Sequence, residues 1–161
     1  MNSDEIEVFV KGTATKVLAS DQLPTRPIKN EIYIVNTDNL NQQGTHWVLI
    51  AKQGPLIIYS DPLGLPPFLR PFVSFINLQM REGNTLKFNK YPFQHSESKN
   101  CGFYCCLLAW HLHQGLSFEL FCQRYSSARA EDNDQLLEKD WARFLLWHNS
   151  LRRDASHDGS L

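Results

Sequence analysis

Asn100-Cys101-Gly102-Phe103-Tyr104-Cys105-Cys106-Leu107-Leu108-Ala109-Trp110 reads as the opening of a helix that is apolar on nearly every side. Such a helix belongs in the middle of a domain, because a surface helix keeps a polar face. Asn100 fits an N-cap, and Gly115 fits a stop after a helix over 101–114. Cys101 then falls in the first turn, where free backbone N–H groups and the helix dipole create positive potential. That setting favours a thiolate, the nucleophilic form of cysteine. A cysteine in an apolar helix is otherwise an ordinary small core residue. What separates Cys101 from that reading is its place at the helix start, beside a polar loop.

Three residues upstream complete a chemistry. His46 lies in Gly44-Thr45-His46-Trp47, within an expected strand over 45–52. Asp61 follows in Ser60-Asp61-Pro62-Leu63-Gly64, at the end of the next expected strand, over 56–59. A tight hairpin between these strands would bring the carboxyl group to the imidazole, where it would fix the tautomer and stabilise the imidazolium. Gln94 could donate a side-chain N–H to an oxyanion, together with the backbone N–H of Cys101. Gly102 leaves room for a substrate backbone. Each residue has a plainer reading: His46 as a satisfied strand histidine, Asp61 as a turn-former before proline, Gln94 as a loop amide. It is the joint order of base, acid, amide and thiol that points to a thiol hydrolase.

The remaining pattern predicts one α+β domain. With 161 residues, 42% of them hydrophobic, the chain can bury one core but hardly two. Residues 3–11 fit a helix or a strand equally, and 21–30 read as a loop. Strands are expected over 31–35, 45–52, 56–59 and 85–93, with antiparallel pairing natural across the short turns. Phe68, Phe72, Phe75 and Ile76 mark a helix over 68–80, with Pro71 near its start. Ser117 caps a short helix to 125. A last helix over 133–148 should bury Leu136, Leu137, Trp141 and Leu145. The domain is placed at 1–150, and 151–161 is read as a polar, disordered tail.

Composition narrows the partners. A formal charge of -1 gives no global attraction to nucleic acid or membrane. No apolar run approaches the roughly 20 residues that span a bilayer. The opening Met1-Asn2-Ser3-Asp4-Glu5 lacks the regions of a signal peptide. Cys101, Cys105 and Cys106 share one helix and make poor disulfide partners. An intracellular, reducing location is therefore expected. His111 and His113 point about 200° apart on a helix, and no Cys-x-x-Cys pair exists, so neither a metal site nor a cofactor is expected.

At these residues the chain resembles the adenovirus endopeptidase (adenain) family, with its relatives in polinton-type elements, and more distantly the ubiquitin-like-protein proteases. The similarity runs from Ile34-Val35-Asn36-Thr37 through Gly44-Thr45-His46-Trp47 and Asp61-Pro62-Leu63-Gly64 to Gln94 and Cys101-Gly102-Phe103-Tyr104-Cys105-Cys106. It implies a papain-like, adenain-like domain with a mixed, mostly antiparallel sheet flanked by helices and the nucleophile on the central helix. It implies His46 as general base, Asp61 as its partner, Gln94 in the oxyanion hole, Cys101 as nucleophile and Trp47 as the tryptophan that shapes the site. Polypeptides would be the substrates, chiefly viral or element-encoded capsid and core precursors, in the host nucleus and virion. An isopeptidase for ubiquitin-like modifiers and a non-hydrolytic acyltransferase or binding module share the constellation. The family analogy also brings an activating peptide and DNA as candidate partners. Two departures from the family pattern stand out: the chain is shorter than the adenoviral enzymes, chiefly in its C-terminal part, and no cysteine lies within 68–99, where those enzymes tether the peptide; the mildly acidic charge balance counts against DNA.

Overall fold

The computed structural model describes residues 1–157. Its elements in chain order are α1 (Ser3–Val10), β1 (Lys16–Ala19), a 3-10 turn (Ser20–Gln22), β2 (Ile32–Asn36), β3 (Trp47–Gln53), β4 (Leu56–Ser60), α2 (Arg70–Met80), β5 (Thr85–Phe88), α3 (Cys101–His113), α4 (Phe118–Arg124) and α5 (Ala130–His157). The ambiguous start is a helix, and local chemistry says why. The Asn2 side chain accepts from Glu5 N–H at 2.9 Å, and the Glu5 carboxyl group accepts from Asn2 N–H at 2.7 Å. This reciprocal box satisfies two of the helix's orphan donors, while Ile6 and Val10, one turn apart, are buried.

The strands form one sheet in the order β1-β2-β3-β4-β5. β2, β3 and β4 pair antiparallel, whereas β1 runs parallel to β2 and β4 parallel to β5. The sheet is mixed as expected, but its pairings divide evenly and are not mostly antiparallel. Both edge pairings follow from long connections that carry the chain back to its starting end; α2 is one of them. β1 itself had no clear pattern in the sequence, with only four residues and one of them buried.

Alternation along the strands divides two cores. Ile34, Leu49, Ala51 and Ile58 face α3, while Tyr33, Val35, Val48, Ile50 and Tyr59 face Phe72, Phe75 and Ile76 of α2. Because both faces are covered, the central strands read as unbroken apolar runs. α3 lies between the sheet and the α1–α5 layer, with Tyr104, Cys105, Cys106, Leu108 and Ala109 all buried. Phe9 and Phe103 each meet Trp141 edge-on at 4.8 Å, and Trp110 meets Trp147 at 4.7 Å. On α5 the buried stripe is Leu137, Phe144 and His148; Leu136, Trp141 and Leu145 flank it half-buried.

Three boundaries differ from expectation. β3 begins at Trp47, so His46 stands just outside the strand instead of within it. The strand expected to reach 93 stops at Phe88, where Asn89 turns the chain with its side chain. The segment expected as a tail is helical as far as His157, and 158–161 lie outside the described residues.

The two-sided burial of α3 sets a stability contrast. Leu108, 1% exposed, should lose about 2–5 kcal/mol on Leu108→Ala. Leu146, 76% exposed on α5, should change by no more than about 0.5 kcal/mol on Leu146→Ala. Urea denaturation of both variants measures the difference.

Candidate active site

The β3–β4 hairpin brings the first two groups together. Leu49 pairs with Ser60, so the residue before β3 and the residue after β4 emerge at one end of the hairpin. There Asp61 Oδ1 accepts from His46 Nε2 at 2.7 Å. The backbone of His46 is fixed as well, its carbonyl accepting from Thr37 N–H at 2.9 Å. Asp61, 2% exposed, also accepts from Leu63 N–H at 2.8 Å, and its carbonyl accepts from Gly64 N–H at 2.8 Å. Asp61 therefore builds the turn before Pro62 and holds the imidazole at once; the two readings of this residue are both true.

α3 supplies the thiol. Packed across β3, its first residue reaches the end of the sheet where His46 waits. Cys101, 8% exposed, lies near enough to the His46 side chain and to the backbone N–H groups of Trp47 and Gly102 for each of them to favour its thiolate. Nε2 of His46 is engaged by Asp61, which leaves Nδ1 for the sulfur. Asn100 occupies the N-cap position without capping: its side chain donates to Asp134 instead.

Burial alone would push the Cys101 thiol up. The His46 hydrogen bond, the Trp47 and Gly102 N–H groups and the imidazole charge outweigh it, and the thiol lies below its ordinary value. Burial alone would push His46 down. Its bonds to Asp61 and Cys101 and their charges prevail, raising it to about 9. The opposed shifts favour a thiolate–imidazolium pair near neutral pH. Burial governs the other thiols without such relief: Cys105 lies well above the usual range, Cys106 rises to about 12 and Cys122 to about 11.

The remaining expected residues are placed unequally. Gln94, 3% exposed, sits in the loop before α3, and both Phe93 N–H and Gln94 N–H donate to Pro62 O, at 2.8 and 3.1 Å. Its Nε2 donates to Ser98 O at 3.1 Å, which uses one of two hydrogens, and its Oε1 is buried without a partner. Gly102 does not open a path for substrate. A Cβ there would meet Met1 Cβ at 3.0 Å and Met1 Sδ at 3.2 Å, so Met1 fills that space. Trp47 Nε1 donates to the Met1 carbonyl at 3.0 Å, which pins the indole over the start of α3. A cavity of about 600 Å³ opens beside Trp47, bounded by α1, Asn36 and Gly44.

Asn89 was not singled out by the sequence. Its side chain accepts from Asp61 N–H at 3.1 Å and donates to Asp61 O at 2.6 Å, clamping the backbone of the acid. A lone asparagine after a short strand carries no signal of such a role; only the folded neighbours reveal it. Gly64 completes the junction. Its φ is +72°, and a Cβ would lie 2.5 Å from Pro92 N and 2.6 Å from the Tyr91 carbonyl carbon. Among the described residues no group of His, Cys, Asp or Glu is arranged to hold a metal ion, and no helix is long and apolar enough to cross a membrane.

Two variants test this geometry. Asp61 raises the pKa of His46, so Asp61→Asn should move the titration of the imidazolium below its value of about 9. NMR of the His46 ring against pH measures that shift. Gly64→Ala should cost more than about 1 kcal/mol in denaturant unfolding, because the left-handed φ and the Tyr91–Pro92 backbone both oppose a side chain.

No protein-family model and no curated protein sequence matches the chain. Solved structures do. A structure of the ASFV pS273R protease aligns with a TM-score of 0.51 at 16% identity, covering 80% of this chain and 60% of that one. Its selenomethionine form aligns with a TM-score of 0.45 at 21% identity over 67% and 42%. SUMO protease Ulp1, with its catalytic cysteine oxidised to a sulfinic acid, aligns with a TM-score of 0.49 at 17% identity over 74% and 68%. The chain thus matches only about two fifths to three fifths of the length of the ASFV protease chains. At 16% identity the likeness is one of fold alone: the domain shares its overall fold with the ASFV pS273R protease.

Proposed function

We propose that this chain is a cysteine peptidase with Cys101 as nucleophile, His46 as its proton partner, Asp61 as the orienter of His46 and Gln94 as an oxyanion donor. The observation that carries the reading is the 2.7 Å Asp61–His46 hydrogen bond beside a thiol whose pKa His46 helps to lower, while the three other cysteines are raised. Perturbation of a single cysteine by a histidine–acid pair at a helix start is the arrangement expected of an activated nucleophile.

The steps follow from the atoms. The Cys101 thiolate attacks the carbonyl carbon of a peptide bond, and the electron pair of the C=O moves to oxygen. The backbone N–H of Cys101 and the remaining Nε2 hydrogen of Gln94 stabilise that oxyanion. His46, protonated at Nδ1, gives its proton to the leaving amine as the tetrahedral adduct collapses to a thioester. Neutral His46 then takes a proton from water, hydroxide equivalent attacks the thioester, and the carboxylic acid leaves as Cys101 is restored. Asp61 holds the ring throughout by accepting from Nε2–H.

The substrates are read as structural precursor proteins of a virus or polinton-type element, cleaved where thiols stay reduced. The motif residues 34–37, 44–47, 61–64 and 101–106 support this finer reading. Activation by a peptide or DNA is left out of it.

A peptide library presented to wild type and to Cys101→Ala tests the assignment. Wild type should cleave internal peptide bonds with a defined consensus, and Cys101→Ala should not cleave at all. His46→Ala should lose about 10²–10⁴-fold in rate. Iodoacetamide near neutral pH should label Cys101 far faster than Cys105, Cys106 or Cys122, and His46→Ala should slow that labelling. Appreciable turnover by Cys101→Ala, or equal labelling of the four thiols, overturns the nucleophile. Labelling of Cys101 by a ubiquitin-type C-terminal aldehyde, with no internal cleavage, would move the substrate to modifier conjugates.

A further inference from the structure

We propose that Asp134, on α5, is a positioning residue that sets Gln94 against Cys101. The inference rests on the reading of Gln94 as an oxyanion donor. Asp134 lies far from the catalytic groups in sequence, yet its carboxyl group gathers the two ends of the loop that carries Gln94. Oδ2 accepts from the backbone N–H of His95, the residue after Gln94, at 3.0 Å. Oδ1 accepts from the Asn100 side chain, the residue before Cys101, at 3.0 Å. The Tyr104 hydroxyl, one helical turn into α3, lies 3.1 Å from the same oxygen and 3.1 Å from the Phe93 carbonyl.

These contacts explain two anomalies. Asn100 stands at the N-cap of α3 but does not cap it, because its amide is committed to Asp134. The Asn100 side chain therefore takes none of the first backbone N–H groups of α3 and instead ties the residue before Cys101 to α5. Gln94, for its part, is held from two sides. Pro62 O binds its N–H from the Asp61 turn, and Asp134 binds the next N–H from α5. A side chain suspended between two fixed backbone anchors has little freedom to swing away from the nucleophile.

The carboxyl group suits this task better than an amide would. His95 N–H and the Asn100 amide donate to it, and the single hydrogen of the Tyr104 hydroxyl is shared between Oδ1 and the Phe93 carbonyl, so both carboxyl oxygens serve as acceptors. Asp134→Asn keeps the shape but turns one oxygen into an N–H donor, which must either face the His95 N–H or make the Asn100 amide rotate to accept it. The loop should relax on the side of Gln94 while Cys101, fixed by the burial of α3, stays in place. Displacement of a catalytic donor by an ångström can cost about 10²-fold.

The test uses Asp134→Asn, Gln94→Ala and the double variant, each confirmed folded by its melting curve, with the peptide that wild type cleaves. Two rates are read: kcat and KM for cleavage, and iodoacetamide alkylation of Cys101, a displacement that forms no oxyanion. Asp134→Asn should lower kcat about 10- to 100-fold, leave KM within about twofold and leave alkylation unchanged. Its effect should vanish in the Gln94→Ala background. Tyr104→Phe, which removes one of the three donors, should act in the same direction and more weakly. A multiplicative loss in the double variant, or a parallel fall in alkylation, overturns the proposal, because Asp134 would then act on Cys101 or on the fold at large. Undiminished kcat in Gln94→Ala alone overturns the oxyanion reading beneath it and the proposal with it, while the nucleophile assignment stands.

Discussion

Burial of α3 across the centre of the sheet is the constraint on which the rest depends. The helix is apolar on almost every side, so it has no orientation that leaves a face in water. It is therefore enclosed by β3 on one side and by α1 and α5 on the other. Enclosure of the helix body fixes the position of its first residue, because α3 can neither slide nor roll without exposing Tyr104, Cys105 or Leu108. Cys101 is delivered to the end of the sheet where the β3–β4 hairpin delivers His46 and Asp61. Their encounter is a meeting of two rigid elements.

The electrostatics of that meeting are a contest between burial and pairing. Burial disfavours charge on both Cys101 and His46, and is the largest influence on each. Neither group would ionise alone in such a place. Together, with Asp61 behind the imidazole and two backbone N–H groups on the sulfur, they shift in opposite directions toward charge. Cys105 has burial without a partner one turn further on, and its thiol is held protonated. The same helix thus holds one thiol shifted toward the thiolate and one held protonated, separated by a single turn.

The walls around these groups are also shared. Met1 fills the space above Gly102 and accepts from Trp47, so α1, α3 and the start of β3 are locked at one point. Asn89 clamps the backbone of Asp61, Pro62 O holds the backbone of Gln94, and the missing side chain of Gly64 lets the two loops touch. The acid and the amide are consequently parts of one loop assembly, although Asp61 and Gln94 stand 33 positions apart in sequence.

Much of this was legible in the sequence. The apolar run from Cys101 determined a buried helix, and the apolar runs bounded by turn residues determined the strands β2, β3 and β4, since hydrophobic pattern and turn residues are local signals. The order His46, Asp61, Gln94, Cys101 determined which chemistry to expect. The parallel edges of the sheet were not legible, because pairing direction depends on where a long connection returns. Nor was the fate of Asn100, whose local preference for capping loses to a carboxyl group 34 positions away. Gly102 looked open from its lack of a side chain, and only packing filled the space with Met1. Sequence determined the elements and the inventory of reactive groups. Tertiary structure alone decided the pairings His46–Asp61, Asn89–Asp61 and Asn100–Asp134, because these partners come from separate elements and are chosen by distance in the folded chain.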